Sequence, residues 1–237
     1  MNNLIVVSGG TKGIGRAIVE KFLDKGFDAA ICARNESELL SFQQESLTKF
    51  PSQKVHIFKA DLSQKIDCDQ FVAFIQKLGH PLSVLVNNAG LFLPGQVYSE
   101  PEGTLQTMIE TNLYSAYNIT RGLIANMIEN KKGHIFNICS TASITAYTNG
   151  GSYCISKFAM LGMTKVLREE LKPNGIKVTA ILPGATRTAS WDGVADELPE
   201  DRLMDSEDVA EMVFSAYSLS PKAVVEEIIL RPQLGDL

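Results

Sequence analysis

Four cysteines, three histidines and one tryptophan are spread over 237 residues, too few and too scattered for several classes of function. Cys32, Cys68, Cys139 and Cys154 form no CxxC pair, and His56, His80 and His134 do not cluster with them, so neither a disulfide framework nor a metal site is expected. Buried thiols are the plain reading of all four cysteines. Basic charge is also scarce: 22 Lys and Arg against 27 Asp and Glu give a net charge of −5 and a pI near 5.3. That balance offers no broad surface for a phosphate backbone, and nucleic acid is not an expected partner. No apolar run approaches the roughly 20 residues of a membrane-spanning helix. The apolar start, Leu4 to Val7, lacks the basic flank and length of a signal sequence, so no membrane partner and a reducing, cytoplasmic setting are expected. Internal repeats, low-complexity segments and linkers are missing too, leaving a single domain over 1–237 as the expectation.

What the chain has is apolar side chain, 45% hydrophobic against 21% charged residues, enough for a large core. Short β-branched runs alternate with longer segments of helical period, the pattern of repeated βαβ units on a parallel sheet. Seven strands are predicted, near Leu4–Ser8, Asp28–Ala33, Lys54–Ala60, Ser83–Asn87, His134–Cys139, Lys177–Leu182 and Val224–Leu230. Helices fall near 13–25, 36–49, 64–78, 102–130, 151–172 and 206–218. Several strands are nearly continuous apolar runs, which places helices on both faces of the sheet. The fold class is therefore α/β, a doubly wound, Rossmann-type parallel sheet.

Three stretches carry chemistry. After the first strand comes Ser8-Gly9-Gly10-Thr11-Lys12-Gly13-Ile14-Gly15, opening into a helix. Glycines there let the backbone approach a pyrophosphate, and the helix offers free amides to anionic oxygens, although a tight turn alone would read the same. Ser140 ends the apolar run of the fifth strand, where open α/β sheets place ligands; a simple strand-end hydroxyl is the alternative. Tyr153 and Lys157 stand four apart, so a helix from Gly151 brings phenol and ammonium to one face, as many ordinary amphipathic helices do. Asn112 lies inside an otherwise apolar helix, costly for an amide without partners and neutral for a satisfied one.

The spacing Gly9-x-x-x-Gly13-x-Gly15, with Asn87-Asn88-Ala89-Gly90 after the fourth strand, Ser140 thirteen residues before Tyr153, and Tyr153-x-x-x-Lys157, resembles the short-chain dehydrogenase/reductase family over essentially the whole chain. Ser8 stands where the family usually has threonine, which keeps a hydroxyl. The resemblance implies a nicotinamide dinucleotide held by Gly9, Thr11, Lys12, Gly13, Ile14 and Gly15 and by Asn88, Ala89 and Gly90. It implies an adenine contact at Asp61-Leu62, with helix capping by Asp61 or Ser63 an equal structural role. Pro183-Gly184-Ala185-Thr186-Arg187-Thr188 matches the segment that meets the nicotinamide carboxamide, with Pro183, Gly184, Thr186 and Thr188 the contacts. Arg34 at the end of the second strand, with Lys12 as a second cation, favours NADP over NAD; Glu36 nearby could instead reach a ribose. By the same resemblance Tyr153 and Lys157 also contact the cofactor, Lys157 holding the ribose hydroxyls, and Asn112 binds a water linking Lys157 to solvent.

Carbonyl reduction needs a proton at oxygen, which the cofactor does not supply and Tyr153 can. Populating a phenolate at neutral pH costs about 4 kcal/mol for an ordinary tyrosine. An exposed Lys157 would return only about 0.3 to 0.5 kcal/mol, whereas a semi-buried one at about 4 Å would supply up to about 4 kcal/mol before desolvation. Ser140 would bind the substrate oxygen. Around these, Phe92, Leu93, Thr141, Ile144, Thr145, Tyr147 and Trp191 suggest a small apolar or planar ketone or aldehyde, with 184–205 as a flap. The end of the chain, Val224 to Pro232, is similar to bacterial sepiapterin-reductase-like members; 3-oxoacyl-carrier-protein reductases and broad carbonyl reductases share the same core. A non-catalytic nucleotide sensor and a nucleotide-sugar epimerase or dehydratase are the other readings of this fold. Apolar residues cover more of the 151–172 helix than one core face needs, so a homodimer or homotetramer through 102–130 and 151–172 is expected.

Overall fold

Seven strands form one all-parallel sheet in the order β3-β2-β1-β4-β5-β6-β7, in a computed structural model that describes residues 2–188, 199 and 202–236. They are β1 (Leu4–Ser8), β2 (Asp28–Ala33), β3 (Val55–Lys59), β4 (Leu82–Asn87), β5 (Gly133–Ile138), β6 (Ile176–Pro183) and β7 (Glu227–Leu230). Every residue of β1 and β4 is buried, as an apolar run covered on both faces requires. Side chains alternate between two cores. Ile5, Val7, Ala29 and Ile31 pack with Ile18 and Phe22 of α1 (Gly13–Asp24), Leu39 and Phe42 of α2 (Glu36–Lys49), and Val209 and Val213 of α7 (Ser206–Tyr217). Leu4, Val6, Ala30 and Leu85 face the other way, onto Phe71 of α3 (Lys65–Leu78), Ile119 and Leu123 of α5 (Ser115–Asn130), and Leu171 of α6 (Gly151–Leu171). Because β4 crosses back to lie beside β1, the strand order reverses there, and the carboxyl ends of β1 and β4 frame the crevice where such sheets bind ligands.

Strand and helix bounds agree with the sequence expectation to within two residues except in two places. The helix expected over 102–130 is interrupted: α4 (Thr104–Ile109) runs into a π-helical segment, Glu110–Tyr114, before α5 begins. The wider turn falls on Asn112, and π-turns of this kind cluster at functional sites because they re-aim side chains at a cost in helix geometry. The last strand starts at Glu227 rather than Val224. Just before it, the Val225 carbonyl accepts from the Thr179 hydroxyl (2.5 Å), and the Glu226 carbonyl accepts both from the Arg168 guanidinium (2.5 Å) and from the Ala180 N–H of β6 (2.9 Å).

On α6, Met160, Leu161 and Leu171 turn inward while Ile155, Phe158 and Val166 stay exposed. Leu105, Tyr114 and Tyr117 on the α4–α5 segment are exposed as well. No helix is long and apolar enough to cross a membrane among the described residues.

Candidate active site

The glycine loop is shaped by contacts that leave no room for side chains. Gly9 and Gly13 have φ of +70° and +50°, in the left-handed region that favours glycine. A Cβ at Gly15 would lie 2.2 Å from the Gly9 carbonyl oxygen and 2.4 Å from Asn88 Nδ2. Ser8 fastens the loop to the end of β4, its hydroxyl accepting from the main-chain N–H of both Asn88 and Ala89 (3.0 Å each). The Asn88 side chain returns the bond, donating to the carbonyls of Ser8 (3.0 Å) and Gly9 (2.9 Å). Thr188 packs against Gly13, where a Cβ would meet its methyl at 2.9 Å, so the Pro183–Thr188 segment lies over the loop. Thr186 is buried, its hydroxyl on the Gly184 carbonyl, and Gly184 N–H donates to Leu230 of β7. Arg187 and Met204, and Met204 and Ala185, exchange main-chain bonds that tie the two ends of 184–205 together. Trp191 and most of the expected flap lie outside the described residues.

At the end of β2, Arg34 is exposed and makes no ion pair among the described residues. The two acids near it have other partners: Glu36 reaches Lys59 at 3.4 Å, and Glu38 holds Lys12 at 2.9 Å. Lys12 therefore brings a carboxylate with it, and the second cation expected beside Arg34 is already paired. Asp61 accepts from the Ser63 N–H and hydroxyl, and its own N–H donates to Asp67. It caps that turn and not α3, whose cap position is Gln64 without a side-chain bond. Leu62 is buried beside it.

Tyr153 and Lys157 project from the first two turns of α6, Tyr153 half-buried and Lys157 only 6% exposed. The Lys157 ammonium donates to the Ile138 carbonyl (2.9 Å) and stands 5.7 Å from the Tyr153 ring centre. It has no carboxylate partner among the described residues, so a buried cation with three donors has one protein acceptor. Ser140 precedes a 3₁₀ turn (Thr141–Ser143) in extended backbone. Its hydroxyl accepts from Ala142 N–H (3.1 Å), which orients a lone pair inward and leaves the O–H proton to be donated.

Both amide protons of Asn112 and one lone pair of its oxygen are bonded within the protein. Its carbonyl oxygen accepts from Leu91 N–H (2.8 Å), and its amide donates to the Leu91 carbonyl (3.0 Å) and to Ser156 Oγ (2.9 Å). Ser156 in turn donates to the main-chain carbonyl of Tyr153 (2.8 Å). Gly90 leaves a bare spot between two polar atoms: a Cβ there would lie 3.3 Å from Asn112 Oδ1 and 3.7 Å from Lys157 Nζ.

Ser156 and Glu100 escaped the sequence reading. Ser156, one residue before Lys157, shows only as a small residue in a helix. Glu100 accepts from both the N–H and the hydroxyl of Ser152 at the start of α6. No periodicity signals it, because it arrives from a loop 52 residues away. The four cysteines are free and buried. Burial pushes Cys139, next to Ser140, up to about 11, which removes it as a nucleophile near neutral pH. Tyr147, although its side chain is exposed overall, is raised too, by local desolvation first and then by Tyr153 and Cys154 alongside, so it offers a neutral hydroxyl and no base.

Residues 3–198 match a family model described as short chain dehydrogenase. A sepiapterin reductase of Chlorobaculum tepidum is 32% identical over 245 residues, covering 100% of this chain and 99% of that protein. An actinorhodin polyketide ketoreductase solved with NADPH superposes with a TM-score of 0.89 at 25% identity, covering 100% of this chain and 98% of that one. A metagenomic short-chain oxidoreductase in complex with NADP superposes with a TM-score of 0.84 at 25% identity, covering 98% of this chain and 97% of that one.

Proposed function

Given that the chain belongs to the short chain dehydrogenase family and is accordingly an NAD(P)-dependent oxidoreductase, we propose that it reduces the carbonyl of a small apolar or planar ketone or aldehyde with NADPH, or runs the reverse oxidation. The observation that carries this reading is the buried Lys157 ammonium with one protein partner beside Tyr153. Such a cation is stable only if something else meets its remaining donors. The close packing at Gly9, Gly13 and Gly15 supports a dinucleotide seat there, to which Thr11, Ile14, Ala89 and Gly90 are assigned with them.

When bound, the nicotinamide supplies the hydride; the protein's own groups handle the oxygen and its proton. Ser140 donates its hydroxyl proton to the substrate oxygen and stabilises charge growing there. Tyr153 delivers a proton to that oxygen, or removes one in the reverse direction. Lys157 favours the phenolate and holds the ribose hydroxyls with its free donors. The second lone pair of Asn112 Oδ1 and the nearby Lys157 Nζ face the bare side of Gly90, a suitable seat for a water that refills the proton. Asp61 and Leu62 receive the adenine, and Pro183, Gly184, Thr186 and Thr188 the carboxamide. The chain acts as one catalytic domain in the cytoplasm, with 184–205 as its substrate flap.

Leu93, Ile144 and Tyr147 are exposed on the loops flanking Ser140 and Tyr153, and Phe92 packs edge-on against Tyr153 (4.9 Å between ring centres). This apolar rim supports an apolar or planar substrate over a multiply charged one. The direct test follows NADPH absorbance across a panel of aldehydes and ketones. Turnover of apolar members supports the assignment; tight NADPH binding with no turnover of any member identifies a sensor instead.

Arg34 carries the cofactor preference, because Glu36 and Lys12 are engaged elsewhere. Replacing it in Arg34→Glu should cut the ratio of kcat/KM for NADPH over NADH by about 10- to 100-fold, the worth of one or two charge-assisted bonds to a phosphate. An unchanged ratio in steady-state kinetics with both cofactors defeats this assignment.

The exposed Ile155, Phe158 and Val166 of α6 and Leu105, Tyr114 and Tyr117 of α4–α5 support a homodimer or homotetramer through these helices. Light scattering at micromolar concentration should give a mass at or above twice 25.9 kDa, and Phe158→Glu should shift it toward that of one chain.

A further inference from the structure

We infer that Glu100 is a positioning residue for the proton-transfer step, setting both the start of α6 and the charge felt by the Tyr153 phenol. The inference rests on the reading of Tyr153 as the proton donor. Helix α6 begins without a cap of its own: Gly150 sits at the cap position in helical backbone with no side-chain bond. First-turn N–H groups have no partner inside a helix and must find one outside. Glu100 supplies it, one carboxylate oxygen accepting from Ser152 N–H at 2.8 Å and the other from Ser152 Oγ. Tyr153 is the next residue.

The backbone is built around this carboxylate. A Cβ at Gly151 would lie 2.0 Å from Glu100 Oε1, and one at Gly95 2.6 Å from Glu100 Cγ, so both positions are bare where the side chain lies. Gly95 N–H donates to the Asn149 carbonyl (3.0 Å), Gln96 Nε2 to Asn149 Oδ1 (3.3 Å), and Glu100 N–H back to the Gln96 carbonyl (2.8 Å). The segment from Leu91 to Glu100 is thus held at one end by Asn112, through Leu91, and at the other by Glu100, through Ser152. Between them Phe92 presses edge-on to the Tyr153 ring. Glu100 and Asn112 clamp the wall against which the phenol is set, and both reach α6 within five residues, at Ser152 and Ser156.

The charge acts in a definite direction. A helix N-terminus is a partial positive charge that favours a nearby phenolate, and a carboxylate on it cancels that help. Glu100→Gln keeps an acceptor for Ser152 N–H while removing the charge; Glu100→Ala removes both. In Glu100→Gln the ionisation of Tyr153, isolated as the tyrosinate absorbance difference between each protein and its Tyr153→Phe counterpart, should move to lower pH by about half a unit, and the pH–rate profile for alcohol oxidation should follow it. Glu100→Ala should lower kcat about tenfold or more, with NADPH affinity measured by fluorescence titration within about twofold of the parent, and Glu100→Gln should recover most of that loss. An unmoved ionisation in Glu100→Gln overturns the inference whether or not the protein turns over. So does a Glu100→Ala protein with parental kcat, or one whose kcat and NADPH affinity fall together and stay low in Glu100→Gln. Absence of turnover in the parent across the carbonyl panel defeats the proposed function alone, since the absorbance titration is independent of it.

Discussion

Tyr153→Phe should lower kcat for carbonyl reduction by about 10³-fold, within the 10²- to 10⁴-fold that a positioned acid or base contributes. NADPH affinity should stay within about twofold, because the donors assigned to the ribose belong to Lys157 and are untouched. The ring remains, so its edge-on contact with Phe92 persists and α6 keeps its packing. The loss is therefore specific to the proton and not to the pocket. Tyr147 cannot take over: desolvation raises its hydroxyl above the usual tyrosine range, which makes it a weaker proton donor. Nor can Cys139 or Cys154, both buried. Steady-state kinetics with the best carbonyl of the panel, beside fluorescence titration of NADPH, measures both quantities, and substantial residual reduction in this variant would sink the mechanism.

Lys157→Met should separate function from stability. The residue is 6% exposed, and among the described residues its ammonium bonds only the Ile138 carbonyl and pairs with no carboxylate. Replacing such a buried charge with an apolar chain of similar length is commonly neutral or stabilising. Thermal melts of the ligand-free variant should therefore match or exceed the parent Tm. Turnover should move the other way. At the 5.7 Å between Nζ and the Tyr153 ring centre, and an effective dielectric of about 20, the cation stabilises a phenolate by about 3 kcal/mol, so its loss lowers kcat by about 10²-fold. NADPH should bind about tenfold more weakly as well, for want of the donors assigned to the ribose. A variant that melts well below the parent would show that Lys157 is structural, and one that keeps its kcat would remove it from the reaction.

The two cores, the glycine loop and the Tyr153–Lys157 pair were legible in the sequence because each is written locally: a continuous apolar run in β1, period 3.6 in α1, four residues between the phenol and the ammonium. What local spacing does not encode was not legible. The π-turn at Asn112 is a change of hydrogen-bond register inside a run that keeps helical periodicity on both sides. Arg168 and Thr179 reach across to the carbonyls of Glu226 and Val225 just before β7, contacts that no local spacing announces. Lys12 is drawn off by Glu38, 26 residues on and in another element. Glu100 meets Ser152 only once the loop after β4 has folded against α6. Asn112 was legible as an anomaly, an amide where apolar residues belong, yet its partners were not.

The bond between Ser8 and Asn88 has a consequence for how the molecule is made. It joins residues 80 apart, across the seam where β4 settles beside β1. Strands β1, β2 and β3 can pair as soon as 59 residues are available, but the glycine loop stays without its second wall until β4 arrives. Parallel pairings over such separations are slow to form. Completion of the crevice therefore waits on a pairing of long sequence separation, that of β4 with β1.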